Sequence, residues 1–122
     1  MAGRLRKATE FLEAAELMRR HAREDEDLAD AFVTLCVHAG IAAADVLCCR
    51  SLGQHSQGDD HSEALALLRK VRPDGVQYSN DLQALLSMKT RAAYDEEPVS
   101  SEQRSRALRR ASRLVEAARL AC

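Results

Sequence analysis

Two short stretches of the sequence carry side chains whose types and spacing could do chemistry. The first is "TRAAYDEE", residues 90–97, in which Arg91 and Tyr94 are one helical turn apart on the face opposite a row of leucines. An arginine guanidinium is always charged and presents a planar fork that fits phosphate or carboxylate, and a tyrosine adds a hydroxyl and a ring for stacking. This pair is therefore a candidate binding site for a phosphate-bearing or acidic group.

The second stretch is a polar strip on an otherwise apolar segment, residues 27–50. On a helix with 100° per residue, four of its side chains fall within about 80° of one another: Asp30, Thr34, His38 and Asp45. The strip is open to three interpretations. It is the solvent-facing edge of a central helix, or His38 and Asp45 line a cleft or a subunit interface, or the strip is a buried hydrogen-bond network with no role beyond the fold.

Lys89 falls among apolar residues of its helix. Its ammonium group must extend to solvent along the aliphatic stem, which is the outcome we expect, or meet a carboxylate such as Asp45. A basic stripe lies further along the chain, at Arg106, Arg109, Arg110 and Arg113. Glu102 and Glu116 lie on the same stripe and dilute its charge. It is interpreted first as a solvated, ion-paired face, and alternatively as a contact for nucleic acid or a partner.

The sequence lacks the other common motifs of catalysis and metal binding. One loop has metal-binding residue types, His55, Asp59, Asp60 and His61, but no recognised ligand spacing, and Asp60 is placed to cap the next helix. The sequence has no Ser-His-Asp arrangement and no phosphate-cradling glycine loop. Four cysteines, at 36, 48, 49 and 122, include no C-x-x-C pair, so they are interpreted as small core residues of a reduced protein. We predict no metal and no cofactor.

The elements that must position these residues are helices. Aromatic residues make up 3% of the chain, Trp is absent and only two prolines occur, a composition that favours helix over strand. The length of 122 residues predicts a single domain, residues 1–122. A net charge of -1 gives no global field that would attract nucleic acid or an anionic membrane.

Apolar spacing and capping signals predict five helices, at about residues 4–23, 27–50, 60–72, 79–95 and 101–121. Asp60 with Glu63, and Ser100 with Gln103, have the spacing of capping boxes. "REDED" breaks the first helix, and "RPDGVQ" is a turn before the fourth. We predict an all-α antiparallel bundle of four main helices and one short helix, with the second helix at its centre.

The N-terminus has no apolar core of the kind found in signal peptides, and no run reaches the ~18 apolar residues of a membrane span. We therefore expect a cytoplasmic protein that does not bind membranes.

The order of these pieces resembles the HEPN superfamily of small prokaryotic helical domains. The likeness covers about residues 5–120 and rests on four segments of the sequence: "AGIAAADVL", "GDDHSEALALL", "LLSMKTRAAYDEEPVS" and "ALRRASRLVEAARLA". The resemblance implies a bundle of four to five helices that dimerises, with the motif helices of two subunits along a shared cleft. Many members are metal-independent ribonucleases that act as toxins or defence effectors, and others bind nucleotides or partner proteins.

In the catalytic members, an Arg is followed after four to six residues by a His, and a polar residue of the second helix assists. Arg91 matches the Arg and Asp45 the assisting residue. At the expected His positions this chain has Glu96, Glu97 and Pro98, none of which supplies an imidazole for acid–base chemistry. Catalysis of the HEPN kind therefore requires that His38 take the place of the missing imidazole.

The leading hypothesis from the sequence is a HEPN-like homodimer. It binds RNA, a nucleotide or a cognate partner protein through a groove around Arg91 and Tyr94, in a toxin–antitoxin or defence setting. The first alternative is a divergent metal-independent ribonuclease that uses Arg91, Tyr94, Asp45 and His38. The second is a purely structural dimerisation module.

Overall fold

The computed structural model of the protein describes residues 2–22, 28–57 and 61–122. Within these ranges the chain forms helices and no strand, so the predicted all-α class is confirmed. The five helices are α1 (Ala2–His21), α2 (Ala29–Leu52), α3 (His61–Arg69), α4 (Gly75–Tyr94) and α5 (Ser101–Ala121). The predicted break at "REDED" and the predicted Asp60 cap lie outside the described residues.

The largest differences from the predicted helix boundaries are at the end of α3 and the start of α4. α3 ends at Arg69 instead of about Arg72, and α4 begins at Gly75, one turn before the predicted start at Ser79. The Pro-Asp-Gly turn leads directly into the first turn of α4, where Tyr78 N donates to Asp74 O over 3.0 Å. The Pro-Asp-Gly sequence, which was predicted to form a turn before α4, therefore leads into the first turn of the helix itself.

α2 is the central helix, as its composition predicted. It packs against each of the other four helices, and more than half of its residues are buried. A helix that is apolar nearly all round needs such surroundings, because a water-facing side would expose apolar surface. By length and composition α2 could also cross a membrane, contrary to the expectation for every segment, but 72% of its apolar window is buried in the fold. A buried core helix also has the length and apolar composition of a membrane span.

Contacts at the helix ends fix the direction of α2 relative to α5. Val99 N donates to Asp30 Oδ1 over 3.1 Å where α2 and α5 begin. Arg50 Nε donates to Ala121 O over 3.1 Å where both helices end. The two helices therefore run in the same direction.

α1 runs in the opposite direction to α2. Arg4, near the start of α1, contacts Asp45 near the end of α2, and Phe11 packs its ring against His38, about two turns earlier in α2. Because α1 and α4 both pack on α2 but do not contact each other, a space bounded by both helices can form along α2.

α5 begins with the capping box predicted from its sequence. Ser100 Oγ accepts a hydrogen bond from Gln103 N over 3.1 Å, and Gln103 Oε1 accepts one from Ser100 N over 3.0 Å. Two backbone N–H groups that the helix leaves without partners are thus satisfied. The inner face of α5 is buried along its length, at Ala107, Ala111, Leu114, Val115 and Ala118.

Two glycines allow close helix packing. A Cβ at Gly40 would lie 2.5 Å from Leu85 Cδ1, so the absence of a side chain there lets α4 pack directly on α2. A Cβ at Gly75 would meet the backbone carbonyl oxygens of Leu68 and Arg69. α4 can begin against the end of α3 because Gly75 has no side chain.

Candidate functional site

A pocket of ≈340 Å³ opens between α1, α2, the segment after α2, α3 and α4. Its volume lies within the range of small-molecule sites in proteins, roughly 300–1,000 Å³. The lining residues come from all of these parts of the chain: Arg4, His38, Ile41, Ala44, Asp45, His55, Ser56, Gln57, His61, Ala64, Leu82 and Lys89. Polar and apolar side chains both contribute, so the pocket can bind a ligand with both characters.

One end of the pocket, formed by α1 and α2, carries an ion pair. Arg4 Nη1 lies 3.0 Å from Asp45 Oδ2, and the Asp45 side chain is only 11% exposed, against 46% for Arg4. Burial raises the pKa of Asp45 above its ordinary value, while the charges of Arg4 and His55 act in the opposite direction. This end of the pocket therefore presents a poorly hydrated carboxylate beside a fixed guanidinium.

The other end, formed by α3 and α4, carries His61 and Lys89. Lys89 Nζ lies 3.4 Å from His61 Nε2, and the Lys89 side chain is exposed. The expectation that the Lys89 ammonium group extends to solvent is thus confirmed. Because an ammonium group can only donate, Nε2 of His61 accepts in this pair and the proton of the neutral ring is on Nδ1. This end therefore presents an exposed positive charge.

Two more imidazoles, His38 and His55, line the pocket. His38 is exposed and its ring lies against Phe11, with centroids 5.4 Å apart and an interplanar angle of 32°. His55 Nδ1 is 2.8 Å from Ser56 O, and because a carbonyl oxygen can only accept, Nδ1 carries a proton. Nε2 of His55 is then the nitrogen that can serve a ligand.

Apolar side chains form the remaining wall of the pocket, at Ile41, Ala44, Ala64 and Leu82. Ala44 and Leu82 are buried, and Ile41 and Ala64 are half-buried. A flat apolar part of a ligand can lie against this wall while its polar groups reach the two ends.

The structure separates the predicted polar strip of α2 into two parts. His38 and Asp45 line the pocket together. Asp30 accepts a hydrogen bond from Val99 N, and Thr34 Oγ1 donates to Asp30 O over 2.8 Å. The first pair is therefore available to a ligand, while the second pair joins the start of α2 to the segment before α5.

Arg91 and Tyr94 do not line this pocket. Tyr94 is 83% exposed, and Arg91 Nε lies 3.5 Å from Asp95 Oδ2 on the surface. Lys89 is two positions before Arg91, and two positions turn a helix by about 200°, so these two cations point to different sides of α4. The four predicted site residues are thus not brought together within this chain.

Two arginines of the basic stripe of α5 contact a buried carboxylate that was not among the predicted site residues. Asp81 on α4 is fully buried, and its Oδ1 lies 2.8 Å from Arg110 Nη1 and 3.4 Å from Arg113 Nη1. Gln77 Nε2 donates to the same oxygen over 3.1 Å. On the outer side of the stripe, Arg106 pairs with Glu102 over 4.0 Å.

The sequence did contain a signal for Asp81. Its spacing to Leu85, Met88 and Ala92 follows the buried stripe of α4, and a carboxylate at such a position needs a cation from a neighbouring helix. Asp81 Oδ2 and Arg110 Nε are buried and lack a hydrogen-bond partner in the described part of the chain. The cluster therefore joins α4 to α5 with incomplete hydrogen bonding.

The described ranges contain neither a cluster of metal ligands nor, at Cys36 and Cys48, a readily ionised thiol. No group of three His, Cys, Asp or Glu side chains there could hold a metal ion. Of the metal-type loop residues, His55 and His61 line the pocket, and Asp59 and Asp60 lie outside the described residues. Burial raises the pKa of the Cys36 and Cys48 thiols to about 12. The prediction that all four cysteines are core residues is wrong for Cys122, which is exposed.

No protein-family model, curated protein or solved structure matches the chain. The basis for a function is therefore the chemistry of the pocket.

Proposed function

We propose that the chain is a HEPN-like antiparallel bundle, with α3 as the short helix, that binds a phosphate-bearing ligand in the pocket. The ligand class is a nucleotide, free or at the end of an RNA. One observation supports this: two permanent cations, Arg4 and Lys89, and three imidazoles line one pocket of ≈340 Å³, in which Asp45 is the single carboxylate among the described lining residues.

Each part of the pocket fits part of such a ligand. Lys89 offers its ammonium group and His61 its Nδ1–H to the phosphate oxygens, and charge-assisted hydrogen bonds such as that of the ammonium group are the strongest that a protein makes. The apolar wall, including Ile41 and Leu82, offers a surface for the face of a base. The resemblance to HEPN domains points to the same class of ligand.

Arg91 and Tyr94 have a different place in this proposal. Both are exposed at the end of α4, away from the pocket. We propose that they contribute to a homodimer contact, because a large exposed aromatic side chain beside an arginine is a composition enriched at protein interfaces. Size-exclusion chromatography with light scattering of Tyr94→Ala tests this: a dimer that becomes a monomer supports it, and an unchanged dimer contradicts it.

A metal-independent ribonuclease is the second candidate. The observation in its favour is that His38 and Asp45 share the pocket with two further imidazoles, which are suited to proton transfer. Binding is the preferred function because Arg91 and Tyr94 lie on another face. Incubation of a single-stranded RNA with the protein in EDTA separates the two functions. Intact RNA is expected, and cleavage that His38→Ala abolishes would instead establish the enzyme.

The binding function is tested by calorimetric titration with the four common nucleoside 5′-monophosphates. Lys89→Ala removes a charge-assisted contact and should weaken binding roughly 10- to 100-fold. Arg91→Ala, two residues away on the other side of α4, should leave the affinity within about twofold. Lys70→Ala is the matched control, since Lys70 is an exposed lysine that does not line the pocket.

The outcomes locate the site. If Arg91→Ala weakens binding and Lys89→Ala does not, the ligand binds around Arg91 and Tyr94 and the pocket proposal is wrong. If the wild-type chain binds none of the four nucleotides or a short RNA at millimolar concentration, a structural dimerisation module is the better description.

A further inference from the structure

We propose that the ion pair of Arg4 and Asp45 recognises the base of the bound nucleotide and selects guanine. This inference rests on the proposed function, because it assigns the specificity of the same pocket. It concerns the α1/α2 end of the pocket, whereas the phosphate is assigned to the α3/α4 end.

The two polar ends of the pocket belong to different parts of the fold. Arg4 and Asp45 are on α1 and α2, and His61 and Lys89 are on α3 and α4. α1 and α4 do not contact each other, so Arg4 and Lys89 come from separate helices, and each cation has its own partner, Asp45 for Arg4 and His61 for Lys89. A ligand that reaches both ends needs an anionic group at one end and hydrogen-bonding groups at the other, with an apolar body between them. A nucleotide has this order: phosphate, sugar and base edge.

The ion pair presents acceptors and donors side by side. Asp45 as a carboxylate only accepts hydrogen bonds, and Arg4 only donates them. Guanine has the complementary set, with N1–H and the N2 amino group as neighbouring donors and O6 and N7 as acceptors. A carboxylate can accept from both donors at once, and a guanidinium fits O6 or N7, as arginines do when they contact guanine in DNA.

The other bases fit the pair less well. Adenine offers the carboxylate one donor, its N6 amino group, next to an acceptor at N1, whose lone pair would face the negative charge. Cytosine has the same alternation, and uracil has a single donor between two acceptors. A wrong base would leave Asp45 paired with Arg4 but without the two donors that guanine supplies, and a buried group that loses hydrogen bonds discriminates strongly between ligands.

Burial of Asp45 strengthens this selectivity. The residue is 8% exposed, and Ala44 beside it is 2% exposed, so little water competes for the carboxylate. Hydrogen bonds to a charged group are stronger in such surroundings than at an open surface. Leu82 and Ile41 lie along the same pocket and can contact the face of a purine.

The test varies the ligand before it varies the protein. Calorimetric titration of the wild-type chain should give the tightest binding for GMP, weaker binding for IMP, which lacks the N2 amino group, and the weakest for AMP. The expected GMP-to-AMP ratio is on the order of 10- to 100-fold, from one bidentate contact. Because no residue is changed, this comparison does not depend on the folding of a variant.

Asp45→Asn then identifies the residue responsible. An amide replaces one acceptor oxygen by a donor, so the affinity for GMP should fall to that for AMP, while the affinity for AMP should stay within about threefold. Asp74→Asn is the matched control, since Asp74 is an exposed carboxylate outside the pocket. Its GMP-to-AMP ratio should equal that of the wild type.

The possible failures are distinguishable. Equal binding of all four nucleotides, or a GMP preference that Asp45→Asn retains, overturns the selection of guanine by Asp45 but keeps the pocket as a nucleotide site. No binding of any nucleotide overturns the proposed function and this inference together. A preference for AMP over GMP overturns this inference alone.

Discussion

The buried cluster of Asp81 with Arg110 should govern the stability of the α4–α5 contact, and it responds unequally to loss of either partner. Arg110→Ala removes the guanidinium 2.8 Å from a fully buried carboxylate. Asp81 then retains Gln77 and Arg113, whose Nη1 is 3.4 Å away and whose side chain is 40% exposed. Removal of one partner from a buried ion pair typically destabilises a protein by about 3–5 kcal/mol, and because Gln77 and Arg113 remain we expect Arg110→Ala at the lower end of this range.

Asp81→Ala should be less harmful than Arg110→Ala. It removes a carboxylate whose Oδ2 already lacks a partner, and the arginines that remain are 26% and 40% exposed and can reach water. The expected loss is about 1–3 kcal/mol. Arg109→Ala, on the exposed side of α5, is the control and should change stability by less than about 0.5 kcal/mol.

The assay is urea denaturation followed by far-ultraviolet circular dichroism, because the chain lacks Trp and is helical. The double variant Asp81→Leu with Arg110→Met should be as stable as the wild type or more stable, since apolar side chains of similar size can replace a buried pair without loss. A loss below about 1 kcal/mol for Arg110→Ala, or a larger loss for Asp81→Ala than for Arg110→Ala, would refute this account of the cluster.

Three further predictions concern titrating groups and a helix cap. Burial raises the pKa of Cys36 and Cys48 to about 12, so Ellman's reagent should label Cys122 at once and these two thiols only on unfolding; rapid labelling of all of them in the native protein would contradict this. Ser100→Ala removes the cap of α5 and should lower the unfolding free energy in urea by about 1 kcal/mol. Burial raises the pKa of Asp45, so Asp45 binds a proton more readily in the folded protein than in the unfolded chain. The stabilising contribution of this proton is complete below the ordinary Asp pKa of about 4 and is lost as pH rises through the folded pKa. Asp45→Asn should therefore raise the melting temperature near neutral pH, and this gain should shrink on acidification; a gain that grows on acidification would show the opposite sign.

Much of the fold was accessible from the sequence because it depends on local patterns. The apolar circumference of α2 predicted its central place, and Ser100 with Gln103 predicted the start of α5. The start of α4 was predicted too late, because the Pro-Asp-Gly sequence of a turn continues here into a helix at Gly75. Periodicity locates the faces of a helix, but turn chemistry alone does not separate a loop from a first helical turn.

Only part of the candidate site could be predicted from the sequence. His38 and Asp45 were singled out because they interrupt an apolar helix, and both line the pocket. His55 and His61 depend on where the segment after α2 returns to the fold, which no local pattern determines. On α4 the helical wheel distinguishes the sides of Lys89 and Arg91, but it does not say which side a neighbouring helix will turn into a pocket.

The most direct test of the proposed site is a nuclear magnetic resonance titration of isotope-labelled protein with GMP. We predict that the largest amide shift changes occur around the pocket, at His38, Asp45, residues 55–57 and His61. Changes confined to Tyr94 and the exposed end of α4, or no change at millimolar GMP, would contradict the assignment of the pocket as the ligand site.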